Sequence, residues 1–120
     1  MNLFKNMFNK ETRNESSKRI ALTNENQIED IIKSSSRESV LIFKHSTRCG
    51  ISSIMLNRFD NKINKLDKTY YILDVLNYRP LSNLIQDKFS IRHQSPQLLV
   101  IKDGNVVAHD SHSGVLGVNI

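Results

Sequence analysis

Apolar residues recur along this chain in two patterns, one typical of buried strands and the other of helices. Runs rich in β-branched and aromatic residues, bounded by polar residues, occupy positions 39–44 and 70–75 and predict buried strands. Elsewhere, apolar residues three or four positions apart predict amphipathic helices. The three helical stripes consist of Ile28, Ile31 and Ile32; of Ile51, Ile54, Met55, Phe59 and Ile63; and of Leu81, Leu84, Ile85 and Phe89.

Capping signals set the ends of two of these helices. Asn24 precedes the first stripe, and Gln27 stands three residues after Asn24, as in a capping box. The serines at 34–36 are expected to end this first helix. Pro80 suits the first turn of the third helix, where its missing N–H costs no hydrogen bond.

A β-hairpin is predicted after the third helix. Two apolar segments, 98–102 and 105–109, flank Asp103 and Gly104, a dipeptide typical of two-residue hairpin turns. Strand–helix–strand units give parallel pairing, whereas a hairpin adds antiparallel strands. The order therefore predicts an α/β fold: a mixed four-stranded sheet with helices on both faces and a C-terminal β-hairpin. Residues 111–120 are too few for a full closing helix.

Composition divides the chain into two parts. Residues 1–19 are polar and rich in Asn and Lys, so we expect an extension there and one domain over residues 20–120. No run approaches about 18 apolar residues, so no membrane segment is predicted. The N-terminus also lacks the continuous apolar stretch of a secretion signal. The single cysteine suits a reducing compartment, which indicates the cytoplasm.

The charge pattern argues against a nucleic-acid partner. The formal net charge is +5, but the lysines and arginines that produce it are scattered. Dense basic tracts and interleaved aromatic residues, which nucleic-acid-binding proteins use, are missing from the sequence. We therefore expect a mild preference for anionic partners, such as small acidic thiols. We also expect a monomer that binds no membrane.

The one cysteine, Cys49, lies between a predicted strand and a predicted helix. At a helix start, backbone N–H groups and the positive end of the helix dipole attract the negative charge of a thiolate. Arg48 adds a cation beside it. Ser52 stands where a two-cysteine redox motif would carry its second thiol, and its hydroxyl could donate to the thiolate. The motif is Cys-x-x-Ser, with one nucleophile and no internal partner to resolve it.

These residues also have plainer interpretations, which the sequence leaves open. A lone cysteine is often a small buried apolar side chain, Ser52 is an ordinary first-turn residue, and Arg48 suits a solvated surface. His45 could act as a base for Cys49, although strand alternation could direct it away. The four histidines lack the short spacing of metal ligands, so surface positions and no metal site are predicted.

Three landmarks of the chain resemble the thioredoxin-like fold. They are a cysteine between strand and helix, a proline directly before the third predicted strand, and a concluding hairpin. More closely, four segments resemble the motifs of the YtxJ family of bacillithiol-system redox proteins, the monothiol bacilliredoxins. These segments are Phe-Lys-His-Ser-Thr-Arg-Cys at 43–49, Ile-Ser-Ser at 51–53, Leu-Asn-Arg-Phe at 56–59 and His-Gln-Ser-Pro-Gln at 93–97. The resemblance covers about residues 20–113.

This resemblance implies reduction of mixed disulfides between proteins and bacillithiol. Bacillithiol would be a co-substrate rather than a bound cofactor, and bacillithiolated proteins would be the partners. The peptide bond before Pro96 would be cis. We therefore predict catalytic roles for Cys49 and Ser52 and substrate-binding roles for Thr47 and Arg48. The resemblance implies that Ser95 and Pro96 also bind the substrate.

Two other functions are compatible with the same residues. The segment Cys49-Gly50-Ile51-Ser52 is similar to the Cys-Gly-Phe-Ser of monothiol glutaredoxins, two of which can bridge a [2Fe–2S] cluster. Against this, residues 108–111 replace the Gly-Gly segment with which glutaredoxins hold glutathione. The other alternative is a noncatalytic thioredoxin-like binding module in which Cys49 is only a regulatory thiol.

Overall fold

A computed structural model describes residues 18–120 of the chain. The predicted N-terminal extension, residues 1–19, therefore lies outside the described residues except for Lys18 and Arg19. In chain order, the elements of the described part are β1 (Arg19–Ala21), α1 (Glu25–Ser34), β2 (Val40–His45), α2 (Gly50–Leu66), β3 (Tyr70–Asp74), α3 (Arg79–Phe89), β4 (Gln97–Lys102), β5 (Asn105–Ser111) and a 3-10 helix (His112–Gly117).

The predicted α/β fold with a mixed sheet is confirmed, but the sheet has five strands rather than four. Its strand order is β1-β3-β2-β4-β5. The pairs β1–β3 and β2–β3 are parallel, whereas β2–β4 and β4–β5 are antiparallel. The additional strand, β1, spans three residues, of which only Ile20 is large and apolar. Such a short strand cannot show the alternation by which strands are found in a sequence.

Helices cover both faces of the sheet, and each face buries its own core. On one face, α2 places Phe59 between Phe43 and Tyr70, with ring centroids 5.2 Å and 5.0 Å from Phe59. On the other face, α1 and α3 contribute Ile31 and Ile85, both fully buried. None of the helices within residues 18–120 is long and apolar enough to cross a membrane.

The C-terminal segment packs back onto the α2 face of the sheet. It forms only a 3-10 helix, in keeping with its predicted shortness, but Val115 and Val118 are buried in the core beneath α2. The ammonium of Lys62 on α2 donates to the carbonyl of Leu116 at 3.1 Å. The C-terminal segment and α2 therefore cover the same face of the sheet together.

The capping and turn predictions are confirmed. Asn24 caps α1, and Gln27 completes the capping box. The hairpin turn places both Asp103 and Gly104 in the left-handed region, at φ 52° and 77°. This is the conformation of a type I′ turn, which matches the twist of the paired strands.

One helical stripe is partly wrong. Ile51 and Ile54 of α2 are 47% and 49% exposed, whereas Ser52 and Leu56 of the same helix are buried. The inward face of α2 therefore begins one residue after Ile51, and the two isoleucines lie on the solvent side near Cys49.

The antiparallel pairing of β2 with β4 brings the two site segments to one edge of the sheet. Lys44, near the end of β2, lies opposite Gln97, at the start of β4. The turn after β2 and the loop before β4 consequently leave the sheet at the same edge. The first carries Cys49, and the second carries Ser95 and Pro96.

Candidate functional site

Cys49 is the N-cap residue of α2, with an extended backbone at φ −108° and ψ 118°. Its N–H donates to the Ser46 carbonyl at 3.2 Å, and its carbonyl accepts from the Ser53 N–H at 3.1 Å. The side chain is partly exposed and makes no capping hydrogen bond. The first turn of this 17-residue helix holds no acidic residue. The thiol therefore lies at the positive end of the helix without a carboxylate in that turn to oppose a thiolate.

Ser52 lies at the third position of α2, and its side chain is fully buried. Its hydroxyl oxygen accepts from the Ser46 N–H at 3.1 Å and lies 2.7 Å from Nδ1 of His45. The hydroxyl is thus fixed between the helix, the turn and the end of β2. The predicted hydrogen bond from Ser52 to a Cys49 thiolate stays a prediction.

His45 is buried, so the expectation of a surface histidine is wrong at this position. Burial lowers the pKa of His45, although the neighbouring carboxylate of Asp74 opposes this effect. The imidazole is therefore neutral at pH 7. The sequence holds the signal for this placement, because Leu41, Phe43 and His45 alternate along β2 and face the same side.

Thr47 and Arg48 are exposed in the turn that joins β2 to α2. Their side chains are thus available to a molecule that approaches Cys49. Their assignment to substrate binding stays a prediction.

The Ser95–Pro96 peptide bond is cis, and Pro96 is buried. The Pro96 carbonyl accepts from the His112 N–H at 2.8 Å, which ties this loop to the C-terminal segment. The Ser95 hydroxyl oxygen is buried and has no hydrogen-bond partner among the described residues. The role of both residues in substrate binding stays a prediction.

A second group of polar side chains lies on the opposite face of the sheet from His45, and we call it the polar cluster: Lys44, Ser82, His93 and Gln97. The Lys44 ammonium and the Gln97 amide oxygen are buried and have no hydrogen-bond partner within residues 18–120. The Ser82 hydroxyl lies 2.7 Å from Nδ1 of His93. Hydrophobicity patterns gave no sign of this cluster, because Lys and Gln are rarely buried.

The basic side chains in and beside the polar cluster lower one another's pKa values, because like charges repel. Burial and the nearby Arg79 guanidinium lower the pKa of Lys44 to about 8. Burial, with the charges of Lys44 and Arg79, lowers the pKa of His93 to about 4. Lys44 is therefore mostly charged at pH 7, whereas His93 is neutral. Among residues 18–120, no group of three or more His, Cys, Asp or Glu is placed to hold a metal ion.

We expect Lys44→Met to raise the free energy of unfolding at pH 7 by about 2 kcal/mol, because it removes a buried charge without a partner. The pKa of Lys44 is lowered from 10.5 to about 8 in the folded protein. Between about pH 8 and pH 10.5 the unfolded chain therefore binds more protons than the folded protein, and the stability of the wild type rises with pH. The stability advantage of the variant over the wild type shrinks across the same range. Urea unfolding at neutral and alkaline pH measures the difference.

Lys33→Met is the matched control, because Lys33 is an exposed lysine of α1. It is expected to change the free energy of unfolding little at either pH. The Lys44 variant should also raise the pKa of His93, measured from its ring signals by NMR. A less stable Lys44→Met protein, or an unchanged His93 pKa, would contradict this account of the polar cluster.

The fold is similar to that of several solved thioredoxin-fold proteins. An oxidoreductase candidate with a thioredoxin fold is 30% identical, with a TM-score of 0.75 over 82% of this chain and 86% of that chain. Schistosoma mansoni thioredoxin is 19% identical, with a TM-score of 0.66 over 87% and 92% of the two chains. A mutant thioredoxin from Halobacterium salinarum is 15% identical, with a TM-score of 0.62 over 82% and 80%. The last two likenesses concern the fold alone.

The family comparison covers the whole domain. Residues 20–120 match the family described as "Monothiol bacilliredoxin BrxC". This match includes the Cys49 turn, the loop before β4 and the C-terminal segment. The chain therefore belongs to the monothiol bacilliredoxin family.

Proposed function

We propose that this protein is a thiol–disulfide oxidoreductase that removes bacillithiol from protein mixed disulfides, with Cys49 as the nucleophile. The family and the fold support a thiol redox function. The observation that carries the proposal is the position of Cys49, partly exposed at the N-cap of α2 with no acidic residue in the first turn. A thiol in such a place is suited to attack a disulfide.

The proposed reaction is a thiol–disulfide exchange. The Cys49 thiolate attacks the bacillithiol sulfur of the mixed disulfide, and a new sulfur–sulfur bond forms as the old one breaks. The electron pair of the broken bond leaves on the client protein's sulfur, which is then protonated. Cys49 is left as a mixed disulfide with bacillithiol, so the client is reduced and Cys49 is oxidised.

The cycle then requires a second thiol from outside the chain. Cys49 is the chain's only cysteine, and Ser52 cannot form a disulfide. A second bacillithiol molecule, as its thiolate, attacks the mixed disulfide and releases Cys49 with formation of bacillithiol disulfide. Bacillithiol is thus a co-substrate, and the proposal needs no bound cofactor. A reducing compartment such as the cytoplasm keeps Cys49 ready for the next cycle.

We propose that Arg48, with Thr47, contacts the acidic part of the small thiol, and that Ser95 and Pro96 border the client chain. We expect Arg48→Ala to raise KM for the bacillithiol adduct about threefold at low salt, because an exposed ion pair contributes little. The value of kcat stays near that of the wild type. Initial rates over a range of client concentrations give both constants.

Arg58→Ala serves as the control for Arg48, since Arg58 is an exposed arginine of α2 outside the first turn. It is expected to leave KM unchanged. Added salt should narrow the difference between the Arg48 variant and the wild type, because salt screens exposed charges. A KM effect that high salt leaves intact would argue against a charge contact.

The experiment that tests the proposed function counts how many client thiols each protein molecule releases. The reduced protein is mixed with an excess of bacillithiolated client, with and without free bacillithiol. We expect one client thiol per protein molecule without the free thiol and continuous turnover with it. Turnover without any added thiol would contradict the monothiol cycle, and no release in either sample would contradict the function.

A further inference from the structure

A buried histidine–serine pair involves the first turn of the helix that begins at Cys49, and the exchange described above gives it no role. Nδ1 of His45 on β2 lies 2.7 Å from the hydroxyl oxygen of Ser52 on α2, and both side chains are buried. Cys49 and Ser52 occupy the N-cap and third positions of α2. Residues three positions apart are neighbours on the same side of a helix. The Ser52 hydroxyl thus contacts the imidazole and lies on the side of the helix start that also carries the thiol.

The hydrogen-bonding capacity of the Ser52 hydroxyl suits a relay. A hydroxyl can donate one hydrogen bond and accept two. One acceptor position takes the Ser46 N–H at 3.1 Å. If the hydroxyl donates to His45 Nδ1, one acceptor position remains for the S–H of Cys49. If Nδ1 instead carries a proton and donates to Ser52, the hydroxyl is free to donate to a thiolate.

From this arrangement we infer that His45, acting through the Ser52 hydroxyl, takes the proton of Cys49 and returns it to the leaving thiol. The inference deepens the proposed function, on which it rests. Ser52 would then be a proton relay in the place where a two-cysteine enzyme carries its resolving thiol. His45 is a positioning residue, because it acts on the sulfur through Ser52.

The proton steps balance. The Cys49 proton moves to the Ser52 oxygen as the Ser52 proton moves to Nδ1 of a neutral His45. The products are a thiolate, a Ser52 hydroxyl that donates to it, and an imidazolium that donates to Ser52. After the exchange, the imidazolium gives up its proton through Ser52 to the thiolate that leaves the disulfide. No oxidant or reductant is involved in these transfers.

Two charged groups near His45 have opposite effects on the stability of its protonated form. Asp74 lies beside it in the parallel register of β2 and β3 and favours the imidazolium, whereas Arg19 of β1 disfavours it. On α2, the residue in contact with the His45 ring is Ser52, and the first turn of that helix holds no acidic residue. Because burial outweighs Asp74, His45 rests as a neutral acceptor, and Asp74 can then stabilise the imidazolium that forms.

The test is a double-mutant cycle on the rate at which iodoacetamide alkylates Cys49 across a range of pH. This rate follows the thiolate fraction and needs no disulfide substrate. His45→Asn keeps a hydrogen-bonding group near Nδ1 but cannot take a proton, and Ser52→Ala removes the relay. We expect each to lower the rate at pH 7 about tenfold and to move the pH profile upward. The double variant should also be alkylated about tenfold more slowly than the wild type, because both substitutions interrupt the same proton path.

A second histidine–serine pair provides the control. Ser82 and Nδ1 of His93 are also 2.7 Å apart but belong to the polar cluster on the other face of the sheet. His93→Asn is expected to leave the alkylation rate and its pH profile unchanged. A hundredfold loss in the double variant, a normal rate in His45→Asn, a normal rate in Ser52→Ala or an equal loss in His93→Asn would each overturn the relay.

A measurement on the unaltered protein covers the case in which a variant fails to fold. The His45 ring is followed by NMR as the pH is raised, before and after Cys49 is blocked. We expect the ring signals to show an inflection at the pH where Cys49 ionises, and the blocked protein to lack it. Identical curves would overturn the relay. Neither measurement uses bacillithiol, so failure of the relay is distinguishable from failure of the proposed function.

Discussion

Cys49→Ser is expected to abolish release of bacillithiol from client proteins, with a loss of about a thousandfold or more. Cys49 is the only thiol in the chain, and a serine hydroxyl does not attack disulfides. We expect the variant to fold like the wild type. The Cys49 side chain makes no capping hydrogen bond, whereas serine is a preferred N-cap and could stabilise α2 by up to about 1 kcal/mol. Release of client thiol is measured beside urea unfolding.

Ser53→Ala is the matched control for this variant, since Ser53 is an exposed serine in the same turn of α2. Its N–H, which donates to the Cys49 carbonyl, is kept in the alanine variant. We expect normal activity and nearly normal stability. Residual release by Cys49→Ser at a tenth of the wild-type rate would mean that the reaction does not require the thiol.

Phe59→Ala is expected to lower the free energy of unfolding by about 3–5 kcal/mol, as is usual for a large side chain removed from a core. Phe59 is fully buried, with ring centroids 5.2 Å from Phe43 and 5.0 Å from Tyr70. These contacts hold α2 against β2 and β3. Because α2 carries Cys49 and Ser52, the variant should also lose activity at temperatures where the wild type is still folded. Urea unfolding gives the stability, and rates on heating give the activity.

Leu66→Ala provides the comparison, because Leu66 lies on the same helix but is 48% exposed. This substitution is expected to lower the free energy of unfolding by well under 1 kcal/mol. Equal effects of the two substitutions would mean that the aromatic contacts of Phe59 do not anchor α2.

The main elements of the fold could be predicted because their patterns are local. The apolar runs, the capping box at Asn24 and the Asp103–Gly104 turn each specify an element within a few residues. Two parts of the fold lack such a pattern. The strand β1 is too short to alternate and depends on pairing with β3, which is distant in the sequence. The outward placement of Ile51 and Ile54 depends on how α2 docks, which a helical stripe defines only approximately.

The candidate site could be predicted at Cys49 and only partly around it. A cysteine at a strand-to-helix junction is visible in the sequence, and the N-cap position follows from that junction. The Ser52–His45 contact joins two elements, so neither motif alone shows it. The polar cluster could not be predicted for a different reason, because burial of Lys44 runs against the usual cost of desolvating an ammonium.

Intact-mass analysis of the reduced protein mixed with a bacillithiolated client tests the central claim most directly, with Cys49→Ala as the control. The account predicts that the bacillithiol mass disappears from the client and appears on the wild-type protein, where peptide mapping finds it on Cys49. The Cys49→Ala protein should leave the client modified. A client that stays modified while Cys49 of the wild type remains free would contradict the account.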